Sequence, residues 1–441
     1  MKYFYATLFL LCIWTIGYTI PRTDIGPFLI LFTLTFGLYL LIFKQVKNHH
    51  DFLFFIGTGL VARFGLLLAW PGLSDDLYRF FWDGVIANQG ISPYAFTPTQ
   101  LMEQGDIVPQ YLAQNIYPYL NSVDYYSIYP PLAQIFYRWS TFFTPDNIFL
   151  SVIFMRILIL AAESGIIYLL LKLLPALKYQ QKNALLYALN PLIILEFTGN
   201  LHAEVIMLGF FLYAFWWLLK GRWVLFSVLF AAGILMKLTI ILLLPLFIRR
   251  LGLRRFAWSV LLILSICALA YINMGILDYP RHYLDSMRLF VQTFEFNASF
   301  YYFFRWIGYQ IFGYNMIHWI GPMLMIAAGM GYVFLYILQY LNDKGLMIRA
   351  LFIFTILLFS STTVHPWYLL LPICFSLFSP YRYAIVWSFL IVFSYMSYTT
   401  EPYREWIWIV FLEYLILGVV MLIDFKIIPW KSYFNFFENE H

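Results

Sequence analysis

The sequence predicts an all-α polytopic membrane protein with roughly 12 to 14 transmembrane helices and a long first extracytoplasmic loop carrying short interfacial helices. Three observations predict it. Hydrophobic residues make up 63% of the chain and charged residues only 11%, against about 25% charged in soluble domains. Apolar surface on that scale needs lipid as its solvent. The apolar residues fall in runs long enough to cross a bilayer. The basic residues gather in short segments between those runs, as cytoplasmic loops do.

Taken in order, the spans are expected at 3–20, 25–43, 52–70, 147–171, 183–198, 205–219, 256–274, 317–340, 347–364, 367–378, 382–398 and 405–423. Lys2 precedes the first run, which lacks a small-residue cleavage site, so it reads as an uncleaved span. Alternation from a cytoplasmic N-terminus puts Lys44, Lys47, Lys172, Lys178, Lys182, Lys220, Arg222, Lys344, Arg349, Arg382, Lys426 and Lys431 inside. It puts 71–146 outside, where Asp75, Asp76, Asp83, Glu103, Asp106, Asp124 and Asp146 face only Arg79 and Arg138. A second outer loop covers 275–316. The run 223–248 has basic residues at both ends, so a broken pair of half-helices is expected, entering and returning with its tip near Met236 and Lys237. The stretch 300–312 carries Arg305 and reads as an interfacial helix on the outer face. No internal repeat is visible, so 1–441 reads as a single membrane domain with a cytoplasmic tail after Pro429.

The net charge of +5 is spread over short loops, which argues against a nucleic-acid partner. Cys12, Cys267 and Cys374 lie in apolar runs at no metal or redox spacing, so no disulfide, metal or cofactor is expected.

Ionisable residues at membrane edges carry the functional expectations. Asp76, Arg79 and Asp83 stand three and four apart, so one helix can present them on one face. A carboxylate at the membrane surface can take a proton from a hydroxyl; the alternative is an ion-paired helix start with Asp75 or Asp76 as N-cap. Adjacent Asp75 and Asp76 point to different sides of a helix. Asp76 is the preferred base and Asp75 the fallback, with Arg79 orienting the carboxylate or a phosphate and Asp83 shaping the acceptor side. Tyr129 lies in a Tyr-Pro-Pro turn. Glu196, Asn200, His202 and Glu204 mark the end of another apolar run, where intramembrane acids are costly and default to functional roles. Lys237 sits about thirteen residues from either end of its run, too deep to snorkel, so it needs an anionic ligand or a buried acid such as Glu163 or Glu196. His365, before Pro366, Trp367 and Tyr368, stands at a further outer edge, as a phosphate donor or as part of an aromatic anchor. Arg281, His282 and Arg288 either grip a phosphate or form a solvated face with Asp285 and Glu295.

Asp75-Asp76-Leu77-Tyr78-Arg79, Trp82-Asp83-Gly84, Gly90-Ile91-Ser92-Pro93-Tyr94 and Tyr129-Pro130-Pro131-Leu132-Ala133 together resemble the first outer loop of GT-C glycosyltransferases. The similarity is to the bacterial polyprenyl-phosphate-sugar-dependent, mannosyltransferase-like group. Asn190-Pro191, Glu196, Gly199-Asn200, His202-Ala203-Glu204, Lys237 and His365-Pro366-Trp367-Tyr368 resemble further motifs of that group. The chain departs from it at Leu201, where Gly is usual, at Glu204, where Asp is usual, and at Val85-Ile86, where basic residues are usual.

The resemblance implies an inverting glycosyltransferase that moves a mannose-like sugar from a polyprenyl-phosphate-linked donor to a hydroxyl of a glycan or lipid acceptor. It implies an active site on the extracytoplasmic side of a bacterial inner membrane, with substrate-binding roles for Arg79, Asp83, Tyr129, Glu196, Asn200, His202, Glu204, Lys237 and His365. The competing class is a transporter or flippase of a lipid-linked sugar, which would be expected to show related halves.

Overall fold

The structure is a computed structural model that describes residues 1–105, 107–338, 343–400 and 403–427; the tail expected after Pro429 lies outside them. The regular elements among these residues are helices, and backbone pairing of the β type is confined to an isolated bridge between Phe296 and Thr363. Among the described residues five helices are long and apolar enough to cross a membrane: Ile25–Gln45, Ile148–Ala176, Leu238–Asn273, Ile317–Ile337 and Ile407–Asp424. The segments Pro191–Gly199 and Glu204–Leu219, bent by 111°, make a sixth if counted as one span. Shorter apolar helices occupy Trp223–Met236, Gly345–Ser360, Pro366–Ser376 and Tyr383–Thr399. The described residues form two compact units, one of Met1–Leu66, Leu170–Glu196 and Val291–His441, the other of Leu67–Leu169 and Phe197–Phe290.

In the first unit, the charge of Arg63 inside an apolar run is met by backbone. Arg63 is fully buried, and its guanidinium donates to the carbonyls of Gly59 (3.0 Å) and Ala188 (2.5 Å). Ala188 ends a short helix, so its carbonyl lacks an intrahelical partner. A side chain at Gly59 would meet that carbonyl at 2.5 Å, so glycine lets the elements approach. Asn190 caps the next turn, accepting from the N–H groups of Leu192 and Ile193 ahead of Pro191 at the first helical position.

In the second unit, 71–146 is a small helical layer with its own core rather than an open loop. Phe81, Trp82 and Ile86 of the Asp76–Asn88 helix pack with Leu101, Leu112 and Ile116. Thr97 starts the helix carrying Leu101 with a capping box closed by Gln100. The Asp76–Asn88 helix lies against the Pro131–Thr141 helix. Gly84 permits the contact, because a Cβ there would stand 2.5 Å from the Tyr137 carbonyl.

The Pro131–Thr141 helix in turn touches Trp223–Met236. That helix follows Glu204–Leu219, which ends at Gly221 in the left-handed region (φ 76°). It stops at Met236. Lys237 is extended (φ −156°, ψ 127°), and the chain resumes as a tight helix over Leu238–Phe247. The ring of Phe226 lies 4.8 Å from that of Phe247. Residues 21 apart along one straight helix would be separated by about 30 Å, so the chain doubles back at Lys237. Ile248–Asn273 continues from there, kinked at Gly252 (φ 72°).

Candidate functional site

Within the second unit, the turn of the hairpin brings Lys237 to Glu204, the first residue of the Glu204–Leu219 helix, and the two form an ion pair. An acid partner of Lys237 is therefore Glu204, which the sequence did not single out for it. The pair is partly open, with the Lys237 side chain 31% exposed.

Asp76 begins the Asp76–Asn88 helix and is half-buried. Its backbone N–H faces Ser74 Oγ at 3.3 Å, and Asn121 Nδ2 stands 3.5 Å from its Oδ1. Burial raises the Asp76 carboxyl above the ordinary aspartate range. The charge of His202 and the Asn121 hydrogen bond oppose that rise, Glu204 adds to it, and Lys237 opposes it. Asp76, His202, Glu204 and Lys237 thus lie within electrostatic reach of one another. Asp75 occupies the N-cap but makes no side-chain capping bond.

Arg79 and Asp83 have a different task. Their ion pair is 2.8 Å long and almost fully buried, with side chains 5% and 1% exposed. Arg79 also donates to the carbonyls of Ser122 (3.0 Å) and Tyr125 (2.9 Å). The second carboxylate oxygen of Asp83 accepts from the Gln134 side-chain amide Nε2 at 2.9 Å, and the same nitrogen donates to Ser127 Oγ. The pair therefore ties the 122–127 loop to the Asp76–Asn88 and Pro131–Thr141 helices. Three-and-four spacing was legible, but the carboxylate that Arg79 orients is Asp83.

Tyr129 packs edge-on to Phe80 and Tyr137, at 5.4 and 5.2 Å between ring centroids. Burial drives both phenols, Tyr129 and Tyr137, well above the ordinary tyrosine value, and the charges of Asp76, Asp83 and Glu204 push in the same direction. Both remain protonated hydrogen-bond donors beside the Asp76 end of the layer. Asn200 accepts from the N–H of Leu73 at 3.0 Å and so anchors the chain just before Asp75. His202 is buried. Between them, Leu201 holds φ 66° with its side chain fully buried, the left-handed conformation that glycine adopts without steric cost.

His282, on the Pro280–Gln292 helix, stacks on Tyr126 at 4.0 Å, and its Nδ1 lies 3.1 Å from the Tyr94 carbonyl. Arg288 faces Asp285 at 3.7 Å with both side chains largely exposed. That geometry is the solvated face rather than a phosphate grip at Arg288.

Glu196 and His365 belong to the first unit. Glu196 is buried in a π-helical turn and accepts from the hydroxyl of Tyr395. His365 stacks on Trp367 at 4.3 Å and on Phe296 at 4.6 Å. Tyr398 links the two sets, 6.1 Å from Tyr395 and 5.8 Å from Phe296, with the guanidinium of Arg22 over its ring at 4.5 Å.

Sequence reasoning passed over Arg156. It is fully buried in the second unit and donates to the carbonyls of Thr198 (2.7 Å), Gly199 (2.9 Å) and Leu67 (2.8 Å). It fixes the backbone ahead of His202 and ahead of Asp75. The available signal was a lone arginine inside the apolar run 148–171, beyond easy reach of either surface.

A family model described as alpha-(1->6)-mannopyranosyltransferase, N-terminal domain, matches residues 23–251, just over half of the chain and a range that holds Asp75 through Lys237. The chain is also similar to an alpha-(1->6)-mannopyranosyltransferase of Mycobacterium tuberculosis, 27% identical over 161 residues, which are 35% of this chain and 26% of that protein. The match thus spans about a quarter of the relative's length.

Proposed function

From a chain that belongs to the alpha-(1->6)-mannopyranosyltransferase family, a GT-C-like group, we propose an inverting transfer of a mannose-like sugar. The donor is a polyprenyl-phosphate-linked sugar and the acceptor a hydroxyl of a glycan or lipid. The work is done at the extracytoplasmic face of a bacterial inner membrane. On this reading 1–441 is one catalytic membrane domain of roughly 12 to 14 spans, some broken or short, with 71–146 and 275–316 outside.

The observation that carries the reading is Asp76, a half-buried carboxyl raised by its surroundings, at the head of an outer helix and in reach of His202, Glu204 and Lys237. A base is most effective when its pKa approaches the operating pH, and burial moves Asp76 that way. Asp76 takes the proton of the acceptor hydroxyl as its oxygen attacks the anomeric carbon. The bond from that carbon to the phosphate oxygen breaks on the opposite face, and polyprenyl phosphate leaves with the electron pair. Lys237, held by Glu204 but partly open, offers its ammonium to the charge that develops on the leaving phosphate. The Tyr129 and Tyr137 phenols donate hydrogen bonds near the acceptor. Arg79 and Asp83 keep this layer rigid.

The test uses purified protein in liposomes with a panel of radiolabelled polyprenyl-phosphate sugars, comparing Asp75→Asn with Asp76→Asn and measuring donor affinity separately. General-base assistance contributes about 10²–10⁴-fold. Asp76→Asn should lower turnover by about that factor with donor affinity little changed, while Asp75→Asn stays active. Wild-type turnover in Asp76→Asn would remove the assignment.

A further inference from the structure

Beside the start of the Asp76–Asn88 helix, the outer layer presents a short wall of side chains to which the transfer reading gives no task. Tyr117–Tyr119 make one tight helical turn. The wall is fixed from both ends. Ile116 and Leu120 are buried in the core of the layer with Trp82 and Leu112. Tyr117 leans on the Trp82 ring at 5.9 Å between centroids, and the Ser122 carbonyl accepts from Arg79 at 3.0 Å. Between these anchors Tyr119 turns outward. Its ring stacks on that of Tyr78 at 5.1 Å and 19°, yet the residue is 59% exposed. One face of the ring is covered by Tyr78 and the other is open. Asn121 is also exposed, and its Nδ2 stands 3.5 Å from Asp76 Oδ1. Leu120 between them is extended (φ −72°, ψ 126°), so the Tyr119 and Asn121 backbones are about 7 Å apart, close to the breadth of one sugar ring with its hydroxyls.

An apolar chain gains from apolar contact on every side. Here an open aromatic face gives way to an amide and then a carboxyl. A pyranose has that make-up, with C–H groups across its faces and hydroxyls around its rim. Its C–H face can lie on a tyrosine ring, and an amide both donates to and accepts from neighbouring hydroxyls. A tyrosine already held from both sides loses little freedom when a ligand covers it.

We propose that Tyr119, backed by Tyr78, and Asn121 form the acceptor subsite, and that the acceptor is a sugar. One pyranose lies on the open face of Tyr119, held at its rim by the Asn121 amide, with a hydroxyl turned toward Asp76. The assignment rests on the reading of Asp76 as the base, and it narrows the acceptor to a glycan.

The full chain is placed in phosphatidylcholine nanodiscs, free of sugar-headed detergent, and binding of methyl α-D-mannopyranoside is measured by saturation-transfer NMR. Wild type should bind the mannoside and Tyr119→Phe should bind it about as well, whereas Tyr119→Ala and Tyr119→Leu should bind it roughly ten-fold more weakly. Leucine keeps the apolar bulk that a membrane-surface anchor needs but has no flat face. Asn121→Ala, at an exposed side chain, should weaken binding as well and gives a second variant if the Tyr119 changes unfold the protein. In the transfer assay with this mannoside as acceptor, Tyr119→Ala should raise the acceptor KM by about the same factor with donor affinity unchanged. Absence of binding by wild type, or wild-type binding by a folded Tyr119→Ala or Tyr119→Leu variant, overturns the subsite. Binding is read without turnover, so the two readings separate. Full turnover in Asp76→Asn, with mannoside binding still lost in Tyr119→Ala, removes the base and leaves the sugar site standing. Lost turnover in Asp76→Asn, with mannoside binding indifferent to Tyr119, does the reverse.

Discussion

At the residue scale, Asp76 and Lys237 make linked demands on pH. On the mechanism proposed above, Asp76 must be deprotonated to act, so activity should fall as pH drops through its pKa. Burial raises that pKa above the ordinary aspartate range, and the positive charge of Lys237 works against the rise. The acid limb of kcat/KM should therefore lie above the ordinary aspartate range. Lys237→Met removes a lowering charge, so the limb should move to higher pH, together with a loss of turnover from the missing leaving-group cation. A pH–rate profile of wild type and Lys237→Met in the transfer assay checks both. A profile that only drops, without shifting, would mean that Lys237 does not act on Asp76. The positions of these two residues were legible in sequence, because Asp76 is an ionisable group at an apolar boundary and Lys237 one deep inside an apolar run. Their partners were not. Glu204 lies 33 residues from Lys237 and meets it only because the chain reverses at an extended residue inside an apolar run. No local pattern encodes that meeting. Leu201 is a different case: the resemblance marks glycine as usual there, and the backbone angle supplies the reason.

At the element scale, the Asp76–Asn88 helix divides its polar residues between chemistry and construction. Its amphipathic spacing correctly put Arg79 and Asp83 on a shared face, but spacing cannot tell a ligand-facing pair from one turned into the layer. Burial tells them apart. Removing one member of a buried ion pair leaves an uncompensated charge and costs about 3–5 kcal/mol. Arg79→Met should therefore lower the thermal stability of the purified protein strongly, and a hydrophobic replacement of both partners, Arg79→Met with Asp83→Leu, should recover part of the loss. Melting curves in detergent decide it. A stable but inactive Arg79→Met protein would return Arg79 to the substrate. Helix limits followed local sequence more faithfully: the Phe300–Phe312 helix occupies the whole stretch expected from its apolar run and Arg305, with Gly313 at φ 77° as its stop. The runs 183–198 and 367–378 are less regular than hydropathy implies. Pro191 restarts a short helix inside the first, and Pro366, just before the second, opens a tight helix that runs into it; hydropathy does not register a missing N–H.

At the scale of the whole molecule, the charge pattern makes a claim about sides that composition alone does not. The layer 71–146 holds seven acids against two arginines. The positive-inside bias would place such a segment outside, with Lys220, Arg222, Arg249, Arg250, Arg254 and Arg255 at the base of the 223–247 hairpin inside. The two claims stand or fall together, because Lys237 and the basic cluster occupy opposite ends of one hairpin. Single cysteines report on each. Gln104 is exposed in the outer layer and Leu253 is exposed in the basic cluster. The native Cys12, Cys267 and Cys374 are first replaced by serine or alanine. In intact cells with a permeabilised outer envelope, a membrane-impermeant maleimide should label Gln104→Cys at once and leave Leu253→Cys unlabelled until lysis. The reverse pattern would invert the topology and move the Asp76 site to the cytoplasmic face, where a lipid-linked donor facing outward could not reach it. Labelling of both without lysis would put 249–255 on the same side as 71–146 and overturn the reading of Lys237 and the basic residues as the two ends of a hairpin across the membrane.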